Sequence, residues 1–166
     1  MLKDLTQRLN RAKELLQRAR HAAMATVNED GSPHNTPFRF LHDGQLTYIY
    51  WGSHPESRHS KNVLRTGEIF VVVYDAVEWG GLYIRAENGH LLDGAELDEG
   101  LKVHNQFRAS EGKKPLEQSY YTGDSPQRMW SAKTVEFWVN DAKRDPEGHL
   151  IQDIRHKIAI EDLLDK

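Results

Sequence analysis

The strongest constraint on this chain is how closely its turn signals bracket its strand-like runs. Glu29-Asp30-Gly31-Ser32 and His42-Asp43-Gly44-Gln45 both carry the Asp-Gly signal of a tight turn between antiparallel strands. Before, between and after them stand AAMATV (22–27), PHNTPFRFL (33–41) and LTYIYW (46–51). These runs are too short for helices and rich in β-branched and aromatic residues, so the first half reads as a meander of strands. Pro33 and Pro37 lack an amide hydrogen, which suits the second run to an edge.

After the meander the period changes. Ser53-His54-Pro55-Glu56 has the spacing of a capping box, predicting a short helix from Ser53 to about Arg65. IFVVVYD (69–75) is the most apolar run and predicts a strand buried on both faces. Residues 82–93 predict a strand bent at Asn88-Gly89, and 95–110 a helix with a ragged apolar stripe. Residues 111–131 read as a polar, aromatic loop, with Tyr120, Tyr121 and Trp130 as candidates to gate a site. KTVEFWVN (133–140) predicts a strand, Asp145 to Gly148 a turn, 149–154 a return strand, and 160–165 a closing helical turn. Upstream, Leu2, Leu5, Leu9, Ala12, Leu16 and Ala19 recur every three or four residues, so residues 1–20 predict an amphipathic helix. No repeat or linker interrupts the 166 residues, so one domain is expected over 1–166. Roughly six or seven strands with few helices predict a mainly β fold, a β-barrel with flanking helices.

Composition narrows the function. Net charge is −3 and the isoelectric point about 6.3, against general nucleic-acid binding. The charge is uneven: residues 1–20 hold six Lys and Arg against Asp4 and Glu14, a net of +4, leaving −7 elsewhere. That basic helix reads as a solvated face or as a surface for a separate acidic partner. No run approaches the roughly 18 apolar residues of a membrane span, and MLKDLTQRLN does not read as a secretory signal. With no cysteine, disulfides and thiol chemistry are excluded and a cytoplasmic setting is expected. Nucleotide-binding glycine loops, GxSxG and HExxH are absent, and the nine histidines lack metal-site spacing.

One stretch suggests chemistry. On a helix, Ser57, Arg58, Lys61 and Arg65 fall within an arc of roughly 100°. They stand in or near the first turns, where free amides and the helix dipole favour an anion such as a phosphate monoester. The same charges suit an ordinary solvated helix.

The order of these pieces, from the Asp-Gly turn through PHNTPFRF, LTYIYW and SRHSKN to the valine-rich run, resembles the flavin-binding split β-barrel. This is the family of pyridoxamine 5'-phosphate oxidase and its relatives. The resemblance covers about residues 20–140 and is strongest over 24–75; the tail from Trp138 resembles that of other members of the superfamily. It implies FMN bound at the interface of a homodimer. It places Thr36, Pro37, Phe38 and Arg39 along the flavin ring, and Tyr50 and Trp51 beside the ring or its ribityl chain. Ser57, Arg58 and Lys61 would hold the phosphate, with Asn62 near by. Glu136-Phe137-Trp138 matches an oxidase strand whose Trp approaches the flavin, making Trp138 a further candidate.

Two departures stand out. The oxidase pattern has Lys directly after Ser-Arg, where this chain has His59 and places Lys61 further on. The oxidase's Arg-Leu-His-Asp-Arg run, which grips its substrate, is replaced by Val139-Asn140-Asp141-Ala142. The implied function is an FMN-dependent oxidoreductase of a small organic substrate with a nicotinamide or deazaflavin donor. The alternative is a flavin- or haem-binding protein or sensor without turnover. No catalytic acid or base is identified. The apolar share, roughly 42% with Gly counted and Tyr left out, is thin for a globule. A barrel that shares its core with a flat cofactor and a second subunit accounts for that.

Overall fold

The computed structural model describes residues 5–74 and 80–164. In chain order the elements are α1 (Leu5–Arg18), β1 (His21–Val27), β2 (Pro33–Arg39), β3 (Leu41–His42), β4 (Tyr48–Ser53), α2 (Arg58–Thr66) and β5 (Ile69–Tyr74). They continue with β6 (Gly81–Leu91), α3 (Gly94–Ser110), a 3₁₀ turn (Gln118–Tyr120), β7 (Arg128–Arg144), β8 (Leu150–Ile158) and α4 (Ile160–Leu163). The strands form one antiparallel sheet in the order β2-β1-β5-β6-β7-β4-β3, with β8 also paired to β7.

β7 is the spine. Its first part pairs with β4 from Lys133 back to Arg128, and its second part pairs with β8 from Phe137 to Arg144. β6 runs along both, with register shifts between Arg85 and Ala86 and between Glu87 and His90. Asn88, inside the second shift, has φ of 55°. Such bulges bend a strand and help curl a sheet. The curl brings β2 and β4 together across the open side, where Phe38 and Trp51 meet edge to face at 6.3 Å.

Strand alternation sends Met24, Val71, Ile84, Trp51, Trp130 and Phe137 inward, each 0–2% exposed. α1 covers this core with Leu9, Ala12, Leu15 and Leu16. A second core, Leu41, Tyr50, Leu92, Leu97, Tyr121 and Met129, lies under α3. The close seat of α3 requires Gly100, since a Cβ there would stand 2.6 Å from Met129 Sδ and 2.9 Å from Leu92 Cδ1. α2 stops at Gly67, whose φ of 70° suits glycine and whose amide returns to Val63 O.

Several boundaries differ from the sequence reading. Ser53 does not cap α2, because β4 continues through it by pairing Ser53 with Arg128. The cap is Ser57, whose Oγ accepts from the Ser60 amide. The strand after the second turn begins at Tyr48, since Leu46 sits in the turn at φ of 53°. Part of the expected loop 111–131 is strand: Met129 and Trp130 are fully buried in β7, so Trp130 cannot gate anything. β5 is buried on one face; Phe70 and Val72 on the other are half-buried. β8 runs on to Ile158. Leu2 and Asp75, and residue 165 of the closing turn, lie outside the described residues.

Candidate functional site

The N-terminus of α2 meets β2 and the end of β4 in a polar cluster. Ser53 Oγ lies 3.0 Å from Ser57 Oγ, Ser57 donates to Ser60 Oγ at 2.8 Å, and Ser60 donates to Ser53 Oγ at 3.2 Å. His59 Nε2 lies 2.6 Å from Ser53 Oγ and 3.1 Å from Ser57 Oγ. His34 of β2 stacks on His59, with centroids 6.3 Å apart and planes within 4°. Half-burial, followed by the nearby charge of His34, holds His59 below the usual histidine range. Hydroxyls that can rotate and helix amides are the donors a phosphate needs.

The expected basic residues face another way. Arg58, Lys61 and Asn62 line an open cleft of about 580 Å³ with Asn28, Glu29, Asp30 and Glu56. Lys61 pairs with Glu56 at 2.8 Å, both exposed. That pair lowers Glu56 below the ordinary carboxylate range. With three carboxylates in the cleft, a dianion is better placed in the hydroxyl cluster than beside Lys61. Asn62 is buried and donates to Thr26 Oγ1 at 3.0 Å and Asn28 Oδ1 at 2.9 Å, tying α2 to β1 and to the turn after it. Arg65 donates to Val27 O.

On β2, Thr36 is half-buried and Pro37 exposed, while Phe38 packs on Phe40 and Trp51. Arg39 bonds Glu111 at 2.6 Å, and its Nε is buried without a partner. Lys113 and then Arg39 hold the Glu111 carboxyl down at about 2. Tyr50 and Trp51 point to opposite sides of β4. Tyr50 enters the second core, where burial pushes its hydroxyl up to about 12. Trp51 is fully buried and stacks on Trp130 at 6.4 Å. Trp138 lies half-buried on the outer face of β7, with Phe70 at 6.0 Å and Lys157 over its ring at 5.9 Å.

The chain thus brings Ser57 into a cluster with Ser53, His59, Ser60 and His34. Arg58 stands on the neighbouring side of the helix, and Trp138 on a separate face. Ser53 carried a cap signal in the sequence, and His59 stood where the family pattern has Lys. His34 had no local signal, since only the pairing of β2 beside α2 brings it there. Tyr121 is not a free gate: it is 3% exposed, with its hydroxyl 2.7 Å from His104 Nδ1. Tyr120 is exposed. Among the described residues, no group of three or more His, Asp or Glu could hold a metal, and no helix is long and apolar enough to cross a membrane.

A curled antiparallel sheet, open between β2 and β4 and flanked by helices, is a split β-barrel. Residues 10–140 match the family model of pyridoxamine 5'-phosphate oxidase, and the chain belongs to that family. No curated protein matches the sequence. Among solved structures, the chain is similar to a Clostridium acetobutylicum protein related to general stress protein 26 of Bacillus subtilis, of the pyridoxinephosphate oxidase family. They share 16% identity over 90% of this chain and 94% of that one, with a TM-score of 0.60. A heme binding protein from Mycobacterium smegmatis shares 12% identity over 94% of this chain and 59% of its own, with a TM-score of 0.64. An F420 reductase shares 16% over 75% and 94%, with a TM-score of 0.54. At these identities the likeness is one of fold.

Proposed function

We propose that this chain is an FMN-dependent oxidoreductase acting on a small organic substrate, with the flavin held between two copies of the chain. The observation that carries the reading is the donor cluster at the opening between β2 and β4, in a chain of this family. Ser53, Ser57 and the amides of the first turn of α2 fit a phosphate monoester, with Arg58 on the neighbouring side of the helix. Bound FMN would supply hydride and single-electron chemistry. The chain's own part is to hold and orient it.

Thr36 and Pro37 present open surface on edge strand β2 for the flat ring. Phe38 and Trp51, packed edge to face, support that edge from within the chain, while Tyr50 is held in the second core and Asn62 against Thr26 and Asn28. The second wall is assigned to a second copy. One outer face of the sheet carries the half-buried Ala23, Ala25, Phe70, Val72, Tyr83 and Trp138 across β1, β5, β6 and β7, edged by the Arg85–Glu136 pair and with Arg155 and Lys157 over the Tyr83 and Trp138 rings. An apolar patch with a charged rim suits an interface. Trp138 belongs to that patch, so its approach to the flavin goes with dimer formation.

Absorbance and mass of any copurifying cofactor, followed by FMN titration, test the reading. A flavin spectrum and micromolar or tighter binding are expected, and failure to bind FMN would sink it. The likeness to a heme binding protein favours a second reading, a flavin or haem carrier without turnover. Flavin reduction by NADH, NADPH or a reduced deazaflavin separates the two: none with any donor means a carrier.

A further inference from the structure

We propose that His34 and His59 together select the phosphate end of the cofactor, taking up a proton as the phosphate seats, in place of a fixed lysine charge. The inference rests on the flavin reading above and deepens it.

Three observations lead there. The rings stack at 6.3 Å with planes 4° apart, so charge on one is felt by the other. His59 Nε2 is set on the hydroxyls of Ser53 and Ser57, the same groups that suit a phosphate. His59 is half-buried, and both burial and His34 disfavour its cationic form. The free protein near neutral pH therefore holds this ring uncharged.

His34 from β2 is the titratable group that faces the ring. The other charged groups of this region are His54 and Glu56 in the loop before α2, Arg58 and Lys61 on α2 itself, and Glu29 and Asp30 in the β1–β2 turn. Glu29, Asp30, Glu56, Arg58 and Lys61 line the cleft on the neighbouring side of the helix, where Lys61 is already paired with Glu56. Burial and then His34 lower the proton affinity of His59.

A phosphate monoester brings about −1.5 to −2 charge into this cluster. Its field opposes the burial effect and raises the proton affinity of His59. One proton then enters from solvent with each phosphate, and no bond other than N–H forms. Binding linked to one proton weakens by up to about tenfold per pH unit between the free and bound pKa values of the ring. A ligand without the phosphate has no such dependence.

The test measures FMN and riboflavin affinity of the full chain by flavin fluorescence between about pH 6 and about pH 8.5. Imidazole resonances of His34 and His59 are followed by NMR. FMN affinity is expected to fall as pH rises, while riboflavin affinity stays flat. FMN is expected to move the His59 titration upward. His59→Gln and His34→Gln should each flatten the FMN slope. His59→Lys should restore FMN binding without the slope, with thermal midpoints confirming that each variant is folded. Equal slopes in the wild type and His59→Gln, or a His59 titration that FMN does not move, would overturn the proposal. Should neither flavin bind, the flavin reading fails and inorganic phosphate becomes the probe. An upward shift of His59 with phosphate then supports the pair as a phosphate clamp, and no shift overturns it.

Discussion

The Nδ1 of His104 on α3 and the hydroxyl of Tyr121 lie 2.7 Å apart inside the second core. Burial, followed by the nearby Arg39 and Arg108, pushes the imidazole down to about 4. The ring is therefore neutral at pH 7, and Nδ1 and the Tyr121 hydroxyl share one hydrogen bond. Because its proton affinity is lower in the folded state, stability is full above the ordinary histidine value of about 6.5 and is lost as pH falls from there toward 4. Tyr121→Phe leaves Nδ1 buried without a partner and should cost about 1–3 kcal/mol at pH 7. Denaturant unfolding at pH 7 and pH 5 checks both statements. His104→Phe, which cannot take up the proton, should lose less stability than wild type between those two pH values.

Gly100 lets α3 sit directly on Met129 and Leu92. In Gly100→Ala the gain in helix propensity, about 1 kcal/mol, opposes overpacking of about 1–3 kcal/mol. The 2.6 Å and 2.9 Å approaches put the balance on the destabilising side. A lower thermal midpoint with unchanged far-ultraviolet dichroism is the expected result; a stabilised variant would show that Met129 yields freely.

Asn62 and Lys61 are neighbours with opposite weights. Asn62→Ala removes a buried hydrogen bond to Thr26 of β1 and a part-buried one to Asn28 just beyond it, and should cost about 1–3 kcal/mol. Lys61→Ala removes an exposed ion pair and should change stability by less than about 0.5 kcal/mol. Chemical denaturation of both variants makes the comparison. On the flavin reading, Lys61→Ala also leaves FMN affinity within about twofold, because Glu56 already occupies that ammonium.

The outer face offers a direct test of self-association. Val72→Glu places a charge amid Ala23, Phe70 and Tyr83 without entering the core, since Val72 faces away from Met24 and Ile84. Sedimentation should show the wild type as a dimer and this variant shifted to monomer. A monomeric wild type would remove the second wall assigned to the flavin.

Much of the element order was legible from local signals. The two Asp-Gly turns, the strand runs around them and the helix near 95–110 all stand where their residue chemistry puts them. Ser53 shows where local reading stops: it has a cap's spacing, but pairing with Arg128 draws it into β4 and leaves the cap to Ser57. The polar stretch before Trp130 looked like loop because the barrel position of Met129 and Trp130 depends on partners far away in the chain.

By itself, then, the sequence determined the mainly β fold, the turn positions and the short helix after the third strand run, since all of these follow from contacts a few residues apart. Tertiary structure alone decided which side chains face one another. Trp51 went into the core and Trp138 to the outer face, Lys61 turned to Glu56, and His34 came to lie on His59 across 25 residues. A strand's period of two leaves each side chain a choice of face, and only long-range pairing of β2, β4 and β7 with their neighbours makes that choice.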